Sequence, residues 1–223
     1  MKRRDFLRNG LLIAGAVSIP GLAKPFLSKN LVTGTSLTII TDDVDKAASL
    51  GQTFFSKMNI KSRLKYEDYD LIGDHIGDLV FVKNGVLFDF KNSDKSEALL
   101  LKEIATKLHL PTNFRNPKLV KFIAVGDAEN SDKTIKIFSN NSLVKEIKLK
   151  KELVSFSVEG VKGTSEFQIS QNGIKAISAP CGHKTCLKLG TASIVGDSLV
   201  CIPNKLRAVV YGNGGGFPDA ISF

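Results

Sequence analysis

The sequence predicts a small α+β domain followed by an all-β barrel or sandwich. Helix-like and strand-like patterns alternate up to residue 110, whereas only short β-prone runs separated by Asn-Asn, Gly and Lys-Gly turns follow residue 118. Strands that recur roughly every eight to twelve residues are typical of barrels and sandwiches. With 223 residues, 43% hydrophobic and 24% charged, the chain has a globular composition and is long enough for one large core or two small ones.

The first domain is predicted over residues 36–110, with elements in the order β-α-β-β-β-α. Residues 44–57 follow a pair of aspartates that can cap a helix, and their apolar side chains recur at helical spacing. Asn84 and Gly85 between two apolar runs predict a type I′ hairpin, because both turn residues must adopt positive φ. Residues 96–108 predict a second helix on the same face of the sheet.

The second domain is predicted over residues 119–223, after a linker at 111–118. Pro111 and Pro117 interrupt the helical pattern twice within this linker. Because proline cannot continue a helix, and restricts the residue before it, we expect the domain boundary here.

The first 24 residues are predicted to be an export signal. A basic start precedes an apolar run at 11–19, and that run is shorter than the roughly 20 residues a spanning helix needs. The start resembles the twin-arginine (Tat) signal, through Arg3, Arg4, Phe6 and Leu7. A basic helix that stays attached is the alternative.

If the signal is of the Tat type, the protein crosses the membrane already folded, with the Tat translocase as its partner during export. We therefore expect a periplasmic or otherwise extracytoplasmic protein, which would be tethered to the membrane if the signal is not cleaved. Of the formal net charge of +9, the first 24 residues carry +4 and the remainder carries +5. This remainder is too modest to indicate a nucleic-acid partner.

All three cysteines of the chain lie between residues 181 and 201. Outside the cytoplasm, cysteine pairs tend to oxidise. The first interpretation is a disulfide between Cys181 and Cys186 that closes its own turn. A two-residue hairpin at Gly196-Asp197 would carry Cys201 away from Cys186, and Cys201 would then be a buried, inert thiol.

The same stretch allows two other interpretations. Cys181, His183, Cys186 and Cys201 could surround one zinc ion or an iron–sulfur cluster. Alternatively, Lys184 could lower the pKa of a neighbouring thiol for thiol–disulfide exchange, although the spacing is Cys-x4-Cys and not the Cys-x-x-Cys of many oxidoreductases.

The second half resembles NusG domain II over roughly residues 133–223. The strings that carry the resemblance lie at 136–147, 163–173, 181–190 and 200–206, and they include Cys-x4-Cys and a later Cys-x-Pro-Asn. The resemblance implies a β-rich module that is inserted in some bacterial NusG proteins and occurs alone in exported or membrane-anchored proteins. No NusG N-terminal domain or KOW motif is seen in this sequence, so we expect no role in transcription.

We therefore expect a non-enzymatic accessory or interaction protein of the cell envelope that serves an extracytoplasmic redox complex through a protein partner. The alternative is a redox protein that binds a metal or an iron–sulfur cluster through the four residues named above. No Ser/His/Asp arrangement, phosphate-binding glycine loop or pair of catalytic carboxylates is found in the sequence, which makes an enzyme the weakest class. The first expectation involves no cofactor, and the alternative involves zinc or an iron–sulfur cluster.

Overall fold

The computed structural model describes residues 31–32, 34–60, 62–125, 132–149 and 151–213. The predicted Tat signal, with Arg3, Arg4, Phe6 and Leu7, lies outside the described residues. Within them the structure is mostly β, with fifteen strands and three helices. No helix in these ranges is long and apolar enough to span a membrane.

The first half of the chain alternates strands with two helices. In chain order the elements are β1 (Leu31–Val32), β2 (Thr35–Thr41), α1 (Val44–Lys57), β3 (Arg63–Asp70), β4 (Asp74–Ile76), β5 (Leu79–Lys83), β6 (Val86–Leu87), α2 (Ser96–Lys107), β7 (Asn113–Arg115) and β8 (Lys118–Val125). Five of these strands form an antiparallel sheet in the order β3-β8-β2-β5-β6, and β4 pairs with β7.

The second half contains one short helix among its strands. The elements are β9 (Lys133–Ser139), β10 (Ser142–Lys148), β11 (Val154–Gly160), β12 (Gly163–Ser170), β13 (Gly173–Ser178), α3 (Thr185–Lys188), β14 (Ser198–Cys201) and β15 (Leu206–Asn213). One sheet has the order β1-β15-β9-β10, with β14 also on β15, and a second sheet has the order β11-β12-β13.

Two local predictions for the first half are confirmed. Helix α1 spans the predicted residues, and the Asp43 side chain caps it by accepting a hydrogen bond from the Lys46 amide at 3.1 Å. The β5–β6 turn places Asn84 and Gly85 at φ 50° and 75°, the positive values that the hairpin requires.

Two central strands of the five-stranded sheet, β2 and β8, are buried on both faces. Alternate side chains of a strand point to opposite faces, so neighbouring residues of β2 enter different cores. Ile39 packs in the core beneath α1 and α2, whereas Ile40 packs in the core of the second half. The molecule therefore has helices on one face of this sheet and the β structure of the second half on the other.

The predicted barrel is not observed among the described strands. The two sheets of the second half are open, and they share one core through residues such as Ile137 of β9, Phe167 of β12 and Ile174 of β13. This arrangement agrees in part with the predicted sandwich.

The predicted boundary at 111–118 does not separate the sheets. Strand β8, which this boundary assigns to the second domain, lies between β2 and β3 in the sheet of the first half. Pro111 and Pro117 instead bracket β7, which pairs with β4. Apart from β1, which pairs with β15, the sheets divide after Val125, and the division of the chain into two independent domains stays a prediction.

A buried ion pair joins the two halves. Lys121 of β8 and Asp197, the residue before β14, form a contact between Nζ and Oδ1, with only 1% and 3% of the side chains exposed. Burial raises the pKa of Asp197, although the Lys121 ammonium opposes this rise. Beside the pair, the Oγ atoms of Ser36 and Ser198 lie 3.1 Å apart.

We predict that Lys121→Met lowers the free energy of unfolding by about 3–5 kcal/mol, because it leaves the Asp197 carboxylate buried without its partner. Urea denaturation of the full chain measures this cost. The control is Lys107→Met in the exposed Lys107–Glu103 pair, which we expect to cost less than about 1 kcal/mol. Equal costs for the two variants would contradict a structural role for the buried pair.

Candidate metal centre

Three separate elements bring the cysteines together. Cys181 follows β13 in a loop, Cys186 lies in α3, and Cys201 ends β14. The Cys181 sulfur is 3.6 Å from that of Cys201 and 4.0 Å from that of Cys186. All three sulfurs lie within 4.8 Å of one another, and all three residues are buried free thiols. We call these three residues the thiol cluster.

The hairpin predicted at Gly196-Asp197 is wrong. The Asp197 amide donates to the Ile194 carbonyl at 2.8 Å and closes a turn, but before this turn the chain forms only an isolated bridge at Ala192. The observed hairpin joins β14 to β15 through residues 202–205, with Cys201 opposite Leu206. Cys201 is therefore placed beside Cys181 and is not carried away from the other two cysteines.

The Cys181–Cys186 disulfide stays a prediction. The two sulfurs are 4.0 Å apart in this structure, whereas a disulfide bond is about 2.05 Å long. The shorter of the two sulfur–sulfur distances joins Cys181 to Cys201, a pair that the sequence did not favour over Cys181–Cys186.

Asn204 fixes the turn that follows Cys201. Its fully buried side chain donates from Nδ2 to the Gly163 carbonyl at 2.9 Å and to Ser165 Oγ at 3.0 Å. Its Oδ1 accepts a hydrogen bond from the Lys162 amide at 2.7 Å. These bonds attach the turn to the β11–β12 hairpin, which explains the asparagine of the Cys-x-Pro-Asn string.

His183 lies near the thiol cluster but outside it. Its Nδ1 is 3.2 Å from the Asp74 carbonyl, and its ring centroid is 5.9 Å from that of His75. In the described part of the chain, the three cysteines alone make up the group of close donors. Three of the four predicted ligands therefore converge, whereas the fourth, His183, contacts the first half of the chain.

His75 is a further histidine of this region and is not among the predicted site residues. It is buried, its Nε2 donates to the Ile72 carbonyl at 3.2 Å, and its Nδ1 is 3.4 Å from Thr185 Oγ1. Because Thr185 begins α3, this contact attaches the helix of Cys186 to the first half of the chain.

A cavity of about 220 Å³ lies over the thiol cluster, at the junction of the two halves. The first half lines it with apolar side chains that include Ile40, Val80 and Leu119. The second half adds Leu189, Val200 and Pro203, together with His183 and all three cysteines. Ions and small molecules can therefore approach the sulfurs from the junction.

The three thiols differ in acidity. The Cys186 thiol donates toward Cys201 and lowers the pKa of Cys201 to about 6, and the Asn204 amide acts in the same direction while burial opposes it. The hydrogen bond with Cys201, together with burial, raises the pKa of Cys186. Burial is the main cause that raises the pKa of Cys181. The first thiolate to form is therefore that of Cys201.

The donor set fits a single thiophilic ion. Sulfurs that share one tetrahedral zinc ion at about 2.3 Å lie about 3.8 Å apart. The observed separations of 3.6 and 4.0 Å are close to that value. Iron–sulfur clusters are usually held by four cysteines, and this chain has three. The geometry therefore suits zinc(II) or copper(I) better than a cluster.

We predict that Asn204→Ala lowers the free energy of unfolding by about 2–4 kcal/mol, because three hydrogen bonds are lost and their buried partners are left unsatisfied. Thermal and urea denaturation of the full chain measure this loss. The control is Asn172→Ala in the exposed β12–β13 turn, which we expect to change stability by less than about 0.5 kcal/mol. A cost for Asn204→Ala as small as that of the control would contradict the proposed role of the asparagine.

Comparison with known proteins confirms part of the resemblance seen in the sequence. Residues 116–213, which contain the thiol cluster, match the family model of NusG domain II. No curated protein matches the chain significantly.

Three solved structures are similar to part of the chain. A DUF1312 family protein from Enterococcus faecalis is 20% identical, with a TM-score of 0.35, and the match covers 37% of this chain and 99% of that one. The Lin0431 protein from Listeria innocua is 22% identical, with a TM-score of 0.34 and coverage of 35% and 94%. A DUF1312 family protein from Ruminococcus gnavus is 18% identical, with a TM-score of 0.29 and coverage of 35% and 96%.

Proposed function

We propose that this chain is an exported protein of the cell envelope that binds one thiophilic metal ion, zinc(II) or copper(I), through Cys181, Cys186 and Cys201. The observation that carries this proposal is the convergence of three buried sulfurs within 4.8 Å of one another. Soft thiolate ligands select such ions. The cavity at the junction gives the ion a path to the sulfurs.

The acidity of the thiols supports a cation at this position. A thiolate at Cys201 is a negative charge among largely apolar side chains, and such a charge is costly without a partner. A bound metal ion removes this cost and favours deprotonation of Cys181 and Cys186 as well, because thiols coordinate as thiolates. The metal and the fold therefore stabilise each other.

We propose that the protein acts as a non-enzymatic accessory of an extracytoplasmic redox complex, with an envelope protein as its partner. The N-terminal sequence supports export through its paired arginines and short apolar run. The match to NusG domain II supports a β-rich interaction module. A disulfide-braced accessory protein without metal is the second candidate, since the sulfurs of Cys181 and Cys186 lie 4.0 Å apart.

We predict one equivalent of metal in the full chain when it is purified without chelators, measured by elemental analysis and by competition with a chromophoric chelator. Cys181→Ser, Cys186→Ser and Cys201→Ser each remove one of the three ligands. Substitution of residues that only orient the ligands typically weakens metal affinity by roughly 10–100-fold. We expect each cysteine variant to weaken metal affinity by more than this.

His183→Ala is the control for these variants, because its imidazole contacts the first half and lies outside the thiol cluster. It should keep the metal stoichiometry and bind within a few-fold of the natural sequence. Substoichiometric metal in the natural protein, or full binding by Cys201→Ser, would contradict the proposal.

We predict that exchanging Arg3 and Arg4 together for lysine keeps the protein in the cytoplasm, whereas the natural sequence is exported. The exchange keeps the positive charge, so a loss of export reports on the arginine pair itself. Cell fractionation and immunoblotting measure the distribution. Arg8→Lys is the matched control and should be exported normally. Export of the paired variant at the natural level would rule out the Tat signal.

A further inference from the structure

We infer that the thiol cluster is also a redox site, in which Cys181 and Cys201 form a disulfide when a low-molecular-weight disulfide reacts with the metal-free protein. The disulfide would leave Cys186 as a free thiol and abolish metal binding. Only this loss of metal binding depends on the proposed function, because the disulfide itself needs no metal.

Cys181 is the shared neighbour of the other two cysteines. Its sulfur is 3.6 Å from that of Cys201 and 4.0 Å from that of Cys186. A disulfide bond requires about 2.05 Å, so the Cys181–Cys201 pair needs the smaller movement. This pairing differs from the Cys181–Cys186 bridge that sequence spacing favours.

The backbone around Cys181 is the part that can provide this movement. Cys201 is held in β14 by its pairing with Leu206 and by the turn that Asn204 fixes. Cys186 lies within the turn of α3. By contrast, Cys181 precedes Gly182. A Cβ atom added to Gly182 would have no atom within 4 Å beyond its two chain neighbours. The loop therefore has free space on this side, and glycine allows the backbone to use it.

The junction cavity gives a small oxidant access to both sulfurs. Cys181 and Cys201 both line its volume of about 220 Å³, although each side chain is buried from bulk solvent. This volume has room for one arm of a small disulfide but not for a folded protein. We therefore assign the oxidant to the class of low-molecular-weight disulfides.

The reaction follows ordinary thiol–disulfide exchange. The thiolate of one cysteine attacks a sulfur of the small disulfide, whose S–S bond breaks and releases one thiolate. The second cysteine loses its proton to solvent and attacks the mixed disulfide, which forms the Cys181–Cys201 bond and releases the second thiolate. Two protein thiols are oxidised, and one small disulfide is reduced to two small thiols.

The same bond removes two of the three metal ligands. A disulfide sulfur carries no negative charge, whereas metal binding by cysteine requires the thiolate. Oxidised protein keeps Cys186 alone, so its affinity for the ion falls. Bound metal in turn occupies all three thiolates and protects them from the small disulfide. The oxidation state of Cys181 and Cys201 would thus regulate the metal site.

The test incubates metal-free full chain with oxidised glutathione, alkylates the remaining thiols, digests the protein and identifies cross-linked peptides by mass spectrometry. We expect a Cys181–Cys201 cross-link and an alkylated Cys186. Cys186→Ser should still form the Cys181–Cys201 cross-link, because neither of the two bonded sulfurs is changed. Cys181→Ser should yield glutathione adducts and little internal disulfide.

Three outcomes would overturn the inference. One is a Cys181–Cys186 cross-link as the main product of the natural protein. Another is a natural protein that forms stable glutathione adducts and no internal disulfide. The third is an internal disulfide in Cys181→Ser that forms as fast as in the natural protein.

Zinc uptake by the reduced and oxidised forms separates this inference from the proposed function. We expect uptake by the reduced form, loss of uptake after oxidation and recovery after reduction. If the Cys181–Cys201 disulfide forms but reduced protein takes up no zinc, the proposed function fails while the disulfide stands. If reduced protein takes up zinc but a different disulfide forms, the redox inference alone fails.

Discussion

The buried contact between Lys121 and Asp197 determines where the two halves of the chain meet. Two charges that are almost inaccessible to water must lie close together, because each would otherwise carry a large desolvation cost. Lys121 lies in the middle of β8, and Asp197 immediately precedes β14. The pair therefore fixes the start of β14 against the central sheet, and Cys201 lies at the other end of that short strand.

The remaining members of the thiol cluster depend on contacts of other kinds. The His75–Thr185 contact and the hydrogen bond between His183 and the Asp74 carbonyl attach the segment around Cys186 to the first half. Cys181 lies in the loop after β13, which packs in the core of the second half. Although all three sulfurs come from the second half, the first half contributes to their positions and forms one wall of the cavity above them.

Local sequence signals predicted the elements that depend on neighbouring residues. The Asp43 cap and the Asn84-Gly85 turn each act within a few residues, and both are present as expected. Strand β8 is one of the β-prone runs that the sequence predicts after residue 118. The sequence does not identify its sheet, because its partners β2 and β3 lie far back in the chain. Pro111 and Pro117, which precede β8, are as typical of a short connection within one sheet structure as of a linker between two domains.

The candidate site, too, could be predicted from the sequence only where it depends on neighbouring residues. The sequence placed three cysteines within about twenty residues, but their convergence depends on which turn forms the hairpin. Gly196-Asp197 has the composition of a hairpin turn, yet Asp197 is used for the ion pair with Lys121, a contact across 76 positions that no local pattern encodes. Lysine within the otherwise apolar run of β8 was the available signal that a buried acidic partner exists elsewhere.

The central claim is that three cysteine sulfurs bind one metal ion. X-ray absorption spectroscopy of the zinc-loaded full chain, at the zinc edge, observes the ligand atoms directly. We expect three sulfur neighbours at about 2.3 Å, with any further ligand a lighter atom. A first shell of nitrogen and oxygen alone, or of a single sulfur, would contradict it.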